Sequence, residues 1–287
     1  MRNMAQFGKV AIFGAGLLGA SLAWALKERG CARVVHIWNR GKANRDFCEN
    51  QPWCDKVFEN INEAASDADL VVLATTASTI PSILKDIRSF LKSGAIVTDV
   101  GSTKLNIVRE CEKILDGLSA VFVGSHPMAG SEKSGASAAK PDLFESASCL
   151  VCPSEKSEVA TEKVADMWRK LGMKVFFKSP EEHDKIVARV SHLPQCASSA
   201  LALLAADNLE DFKLFAGNGF RDTTRIAKSD PAMWESILSE NAENISFGLS
   251  KYIAKLQELK SAVDSKDCVY IENFLTSARQ TRLKLDK

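Results

Sequence analysis

The sequence predicts an α/β protein: a doubly wound parallel sheet followed by an all-helical segment. Three observations predict it. Short apolar runs alternate with amphipathic stretches between residues 9 and 177, the pattern of strands joined by crossover helices. The first run leads straight into Gly14-Ala-Gly16-Leu-Leu-Gly19, a glycine turn that opens a helix. After Ser179 the strand-like runs stop and only helical patterns remain.

The totals agree. A chain of 287 residues suggests two domains at roughly 150 residues each, read here as 1–178 and 179–287. Apolar residues make up 46% and charged residues 25%, the balance of a globular chain with a sizeable core. The net charge of +1 provides no global field to recruit nucleic acid or an anionic membrane. Eight cysteines are unevenly spaced, and only Cys149 and Cys152 form a Cys-x-x-Cys. That pair sits in a strand-like run with no second pair or nearby histidine, so no metal site is expected and both thiols read as structural. Nothing suggests disulfides, which points to a reducing cytoplasm. Val10 to Leu26 is apolar or small and follows Arg2 and Lys9, as in a signal or membrane segment, but the three glycines interrupt it at strand-turn-helix spacing.

The elements follow in order. Lys9 to Phe13 is a buried strand, and the turn after it is Gly-x-Gly-x-x-Gly in its required setting, before a helix over 20–29. Gly14 makes the tight turn, Gly16 lets a pyrophosphate approach the backbone, and Gly19 lets the helix pack on the strand. The helix start, with Leu17 and Leu18, offers free N–H groups to phosphates. This is a Rossmann-type dinucleotide site. The next strand, Val34 to Trp38, ends in Asn39-Arg40. No acidic residue stands there to bind ribose hydroxyls, and Arg40, Lys42 and Arg45 cluster instead. A 2′-phosphate suits that charge, so NADP is favoured and NAD is the alternative. His36, inside this strand, reads as structural.

Further strands are predicted at 70–74 and 95–100. They end in Thr75-Thr76 and Gly101-Ser102, small or hydroxylated residues facing one crevice. A helix over 80–91 crosses between them. A fifth strand, Ala120 to Val123, stops in Gly124-Ser-His-Pro-Met-Ala-Gly-Ser-Glu-Lys-Ser-Gly135. His126 there can take or give a proton near neutral pH. Strands at 148–152 and 174–177 flank a helix near 155–171. Ser179-Pro-Glu-Glu182 is a helix start. Helices are then expected over 183–207, 209–215, 231–259 and 265–285. Leu201-Ala-Leu-Leu-Ala-Ala206 is apolar on most sides, which suits a bundle interior or a dimer interface. His183 reads as a surface residue.

Four stretches now resemble one family. They are the His126 loop, Asp99-Val-Gly-Ser-Thr-Lys104, Ser191-His-Leu-Pro194, and Gly219 to Pro231 with Trp234. With the glycine turn they span about residues 9–245, in the order found in the prephenate dehydrogenase family, which includes arogenate and cyclohexadienyl dehydrogenases. The resemblance implies oxidation of a ring hydroxyl by hydride transfer to NAD or NADP. Loss of the ring carboxylate as carbon dioxide then gives 4-hydroxyphenylpyruvate or tyrosine. It also implies a helical C-terminal dimerisation domain, hence a homodimer acting on a small molecule.

The resemblance carries roles to particular residues. His126 accepts the proton of the substrate hydroxyl, and Ser102 hydrogen-bonds the same hydroxyl and orients the histidine; the alternative for Ser102 is an N-cap of the helix from about Lys104. Arg225 binds a substrate carboxylate with its planar fork, and Asp222, three residues earlier, can orient it. Ser191 and His192 stand in or beside the substrate pocket, although His192 reads equally as a core histidine. Glu132 matches an acid at the pocket lip. Trp234 resembles a residue reaching in from the partner subunit and reads equally as packing. Many members carry a histidine where this chain has Gln195, an amide that hydrogen-bonds a keto or amino acid without charge. An ending at Lys287 leaves no room for an appended regulatory or mutase domain. A different β-hydroxyacid dehydrogenase would place lysine and asparagine one turn apart on the first long helix, where this chain has His183-Asp-Lys185 and Ser191-His192. An NADP-sensing scaffold would have no use for the His126, Ser102 and Arg225 set.

Overall fold

The computed structural model describes residues 5–130, 133–207 and 211–286. Two compact units partition the chain, Met1–Asn241 and Ala242–Lys287. The first is built on a sheet of eight strands in the order β3-β2-β1-β4-β5-β6-β7-β8. These are β1 Phe7–Phe13, β2 Ala32–Trp38, β3 Lys56–Phe58, β4 Leu70–Leu73, β5 Ile96–Asp99, β6 Val121–Pro127, β7 Ser148–Cys152 and β8 Lys174–Phe177. The chain order reverses between β1 and β4, the switch point where open α/β sheets form a ligand crevice. β1 to β6 are all parallel. The expected doubly wound sheet is therefore present, with two differences: β3 adds an unexpected edge strand, and β7 runs antiparallel to β6, Pro127 facing Cys149, with β8 parallel to β7. Hydropathy does not encode strand direction, and the described residues between Pro127 and Ser148 form no crossover helix long enough to reverse the path.

Helices cover both faces of the sheet: α1 Leu17–Glu28, α2 Lys42–Glu49, α3 Ile61–Ala65, α4 Ile80–Ile87, α5 Leu105–Ile114 and α6 Glu158–Lys170. The central strands β4 and β5 are buried on both sides, and two apolar clusters form the core, one per face. Cys149 belongs to one cluster and Cys152 to the other. Three residues apart on a strand, they point to opposite faces and share no ligand.

The remaining helices of this unit are α7 Pro180–Val187, α8 Leu193–Ala206, α9 Phe212–Phe215, α10 Asn218–Thr224 and α11 Pro231–Glu240. Ser179 caps α7 with a full capping box to Glu182. Between α7 and α8 the backbone widens into a π-turn over Ala188–His192. Pro194, at the second position of α8, has no N–H to donate and crowds the carbonyl four residues back, which accounts for the widening. The outer face of α8 is apolar and open: Leu203 is 76% and Leu204 69% exposed. Within the first unit these leucines therefore do not lie in a bundle interior. The compact division falls after Asn241, because α7 and α11 bond directly to the sheet-bearing part of the first unit. Asp184 accepts from Lys104 N–H, and Asn106 donates to Glu240.

The second unit is a hairpin of two helices, α12 Ala242–Asp264 and α13 Cys268–Leu283. Asp267 caps α13 through the Tyr270 N–H, and the Tyr270 hydroxyl donates to Glu258 across the hairpin at 2.9 Å.

Candidate active site

The glycine turn has the geometry that a dinucleotide needs. Gly14 sits at φ +107°, and a Cβ there would lie 2.4 Å from the Ala74 carbonyl oxygen. A Cβ on Gly19 would lie 1.9 Å from the Gly14 carbonyl, so helix and strand meet without a side chain between them. Gly16 is the reverse case, because a Cβ there would meet nothing within 4 Å. That open space faces the start of α1, which has no side-chain cap. The N–H groups of Leu17, Leu18 and Gly19 precede the first intrahelical bond and are left for a ligand. These features fit a nicotinamide dinucleotide.

Asn39 braces this loop. Its side-chain carbonyl accepts from Ala15 N–H at 2.9 Å, and its amide donates to the Gly41 carbonyl at 3.0 Å. The three cations after β2 divide. Arg45 donates to the Asn39 and Arg40 carbonyls and to Glu59. Lys42 pairs with Asp46. Arg40 is exposed and has no side-chain partner among the described residues. At the end of β4 the Thr75 and Thr76 hydroxyls cluster with Thr79 at 2.9 and 3.2 Å. Gly101 follows β5, its N–H donating to Asp99.

The end of β6 carries His126, 8% exposed. Its Nδ1 lies 2.8 Å from Nε2 of His183, and Nδ1 of His183 lies 2.8 Å from Oδ1 of Asp184. Asp184 in turn accepts from the N–H groups of Lys104 and Leu105 at 2.8 and 3.0 Å. His183 is thus fully buried beside His126 and is no surface residue. Its neighbours Glu181, Glu182 and Lys185 are polar, but it shares a helix face with buried Val187 four residues on. That spacing was the available signal. Burial first, then His183, Lys104 and His192, hold the His126 pKa well below the ordinary imidazole value. Burial alone would raise the Asp184 carboxyl, but His183 and the Leu105 and Lys104 amides outweigh it and hold the group ionised.

Ser102 is half-buried in the loop before α5. It does not cap that helix: Lys104 holds the N-cap position and the terminal amides go to Asp184, 80 residues away in sequence. Beneath the loop lies a fully buried ion pair, Lys104 Nζ to Asp99 Oδ2 at 2.5 Å. Every group in it is matched. Asp99 also accepts from Gly101 and Ser125 N–H, and Lys104 also donates to the Gly101 and Thr103 carbonyls. The pair joins the Ser102 loop to the strand that carries His126.

On the helical side, Ser191 is half-buried and His192 is buried. Burial depresses the His192 pKa to about 4; its Nδ1 lies 3.2 Å from the Asn241 amide, while Nε2 has no hydrogen bond among the described residues. Trp234 packs edge-on against His192 of the same chain, ring centres 5.9 Å apart. A cavity of about 440 Å³ lies between α8 and α11, lined by Gln195, Ser199, Ser229 and Trp234. Gln195 Oε1 and Trp234 Nε1 are buried there with no partner among the described residues. Arg225, at the end of α10, is exposed, as is Asp222. No ion pair joins these two among the described residues; in open solvent, water satisfies each, and a three-residue spacing gains little. Nor does any hydrogen bond or ion pair among those residues link Arg225 or Gln195 to His126. Glu132 lies outside the described residues.

Comparison with known proteins places this arrangement. The family model described as "Prephenate dehydrogenase, nucleotide-binding domain" matches residues 22–177, and "Prephenate dehydrogenase, dimerization domain" matches residues 179–277. The chain is 32% identical to a prephenate dehydrogenase of Lactococcus lactis over 282 residues, 97% of this chain and 77% of that one. It is 29% identical to a cyclohexadienyl dehydrogenase of Zymomonas mobilis, covering 98% and 97%. The crystal structure of a prephenate dehydrogenase from A. aeolicus in complex with hydroxyphenyl propionate and NAD+ superposes with TM-score 0.89 at 30% identity, covering 97% and 98%. With its nucleotide-binding and dimerisation segments both matched in sequence order, the chain belongs to the prephenate dehydrogenase family.

Proposed function

We propose that the chain oxidatively decarboxylates prephenate, arogenate or both, in tyrosine biosynthesis, with His126 as the base. The observation that carries this reading is the placement of His126: a buried, uncharged imidazole beside the Ser102 loop, on the sheet whose glycine turn suits a dinucleotide. A nicotinamide dinucleotide bound at that turn supplies the acceptor for the hydride that leaves the ring carbon. His126 takes the hydroxyl proton as that carbon–oxygen bond becomes a carbonyl, and Ser102 hydrogen-bonds the same oxygen. When the ring carboxylate departs as carbon dioxide, its electron pair passes through the ring to this oxygen, which recovers a proton from His126. A positioned base of this kind contributes about 10²–10⁴-fold. The test mixes the protein with prephenate, then arogenate, and NADP or NAD, and follows absorbance of the reduced cofactor. No reduction with either substrate would overturn the reading.

Residues 1–178 hold the cofactor in this proposal, and residues 179–287 hold substrate and the second subunit of a homodimer. The open leucine face of α8 supports a partner there, and Trp234 then stands near the shared site. Ser191, His192, Gln195, Asp222 and Glu132 are assigned to the substrate side. Eight unpaired thiols suit a reducing cytoplasm.

Two variants probe the ligands. Arg225→Gln removes a charge-assisted fork worth about 1.5–3 kcal/mol. The KM for substrate is expected to rise roughly 10–100-fold while dinucleotide affinity holds. Equal loss of both would make Arg225 a structural cation. Arg40 is the one unengaged cation after β2 among the described residues, and it is assigned to a 2′-phosphate, favouring NADP. Arg40→Asp is expected to move the NADP/NAD ratio of kcat/KM toward NAD by at least about tenfold, the value of one lost charged hydrogen bond. An unchanged ratio would remove the NADP preference from this residue.

A further inference from the structure

We propose that His183 and Asp184 are positioning residues that fix His126 in a single tautomer, with the proton on Nδ1 and the lone pair on Nε2. The inference rests on the reading of His126 as the base and follows from donor and acceptor counting along one buried chain of contacts. The Asp184 carboxylate can only accept. It receives N–H groups from Lys104, Leu105 and Nδ1 of His183. The His183 proton is therefore on Nδ1, and neutral His183 presents a lone pair at Nε2. At 2.8 Å from that lone pair, Nδ1 of His126 must be the donor. Nε2 of His126 is left as an acceptor, as a base requires.

The surroundings oppose the reversed arrangement, in which a protonated His183 would donate to His126. Burial lowers the His183 pKa and outweighs the attraction of Asp184. The groups around the two rings are Asp184 on α7, Asp99 and Lys104 from β5 and the start of α5, His192 in the π-turn, and Cys149 on β7. Of these, Lys104 disfavours a positive charge on His183, the ring that the reversed arrangement would protonate. Asp184 is itself held in place. Its carbonyl accepts from the Asn241 amide at 2.8 Å, and its two carboxylate oxygens close the start of α5 just after Ser102. One carboxylate thus sets the ring orientation of the base and the position of the loop that carries its neighbouring hydroxyl.

A cap alone would predict lost stability and nothing else, so the tests read tautomer and rate. In full-length protein with 15N-labelled histidine at pH 7.5, the ring signals that vanish in His126→Asn should show a protonated Nδ1 and a bare Nε2. A protonated Nε2 overturns the proposal, and this measurement needs neither substrate nor turnover. His183→Phe keeps a ring but accepts nothing, and kcat should fall at least about 100-fold, with the Kd for dinucleotide within about twofold. His183→Gln restores a carbonyl acceptor and should recover at least about tenfold of that loss. Equal kcat in the two variants overturns the proposal. Asp184→Ala removes the acceptor that holds the His183 proton on Nδ1, so the single tautomer of His126 should be lost and kcat should fall at least about tenfold; a kcat within about twofold of the parent overturns the role of Asp184. If the parent protein reduces cofactor with neither prephenate nor arogenate, the reaction assigned above fails while the ring signals still decide the tautomer.

Discussion

His126→Asn is expected to keep the fold and dinucleotide binding while kcat falls about 10²–10⁴-fold, the contribution of one positioned base. The asparagine amide can still donate toward Nε2 of His183, so the buried contact at 2.8 Å has a substitute. What it lacks is a lone pair that can hold a full proton. Steady-state kinetics beside equilibrium dinucleotide binding would check this, and kcat within a few fold of the parent would remove His126 from the chemistry. The same residue sets an expectation for pH. Only the neutral ring accepts a proton, and its pKa lies well below the ordinary 6.5 because of burial and then His183, Lys104 and His192. Acidification from pH 7 to 6 therefore leaves the base neutral, and kcat should stay flat where free imidazole would be largely protonated. A kcat that halves near pH 6.5 would place the titration on an ordinary imidazole.

Lys104→Met is expected to lower stability by about 3–5 kcal/mol, because it leaves the Asp99 carboxylate buried without its cation. Lys104 and Asp99 are both fully buried, 2.5 Å apart, with each remaining valence used by a backbone group. For a unit of this size the loss corresponds to a Tm lower by about 6–20 °C. Pairing the change with Asp99→Asn should recover part of the loss, since no lone charge is then left inside. Thermal unfolding of the two variants settles it: a Tm within about 2 °C of the parent for Lys104→Met would mean that water or another group replaces the ammonium.

The strands that run through the core were legible because a sheet covered on both faces needs continuous apolar runs, and β1, β2 and β4 to β7 have them; β8, an edge strand, was legible from its apolar Val-Phe-Phe run although it is largely exposed. β3 was not legible: Lys56–Phe58 is three residues with one buried side chain. α10, over Asn-Gly-Phe-Arg-Asp-Thr-Thr, buries no residue and carries no apolar stripe. The helix expected over 231–259 breaks at Asn241, whose amide turns inward to Asp184 and His192, a contact that no local pattern announces. In the site, the glycine turn and His126 were legible because backbone geometry and a lone imidazole constrain residue type at one place. His183 and Asp184 were not, because their partners lie 57 and 80 residues away. Among polar neighbours, a histidine at a helix start looks solvated until the fold is closed.

The reversal of β7 has an evolutionary consequence. Since β6 ends and β7 begins at the same rim, with Pro127 opposite Cys149, the stretch joining them never has to traverse the sheet. It leans instead on α1 and α2, where the Lys140 amide meets Ser21 and the Ala136 amide meets Asn44. Insertions or deletions in this stretch lengthen or shorten a loop at the rim and leave the strand ladder untouched, so the scaffold can vary there without relearning how to fold.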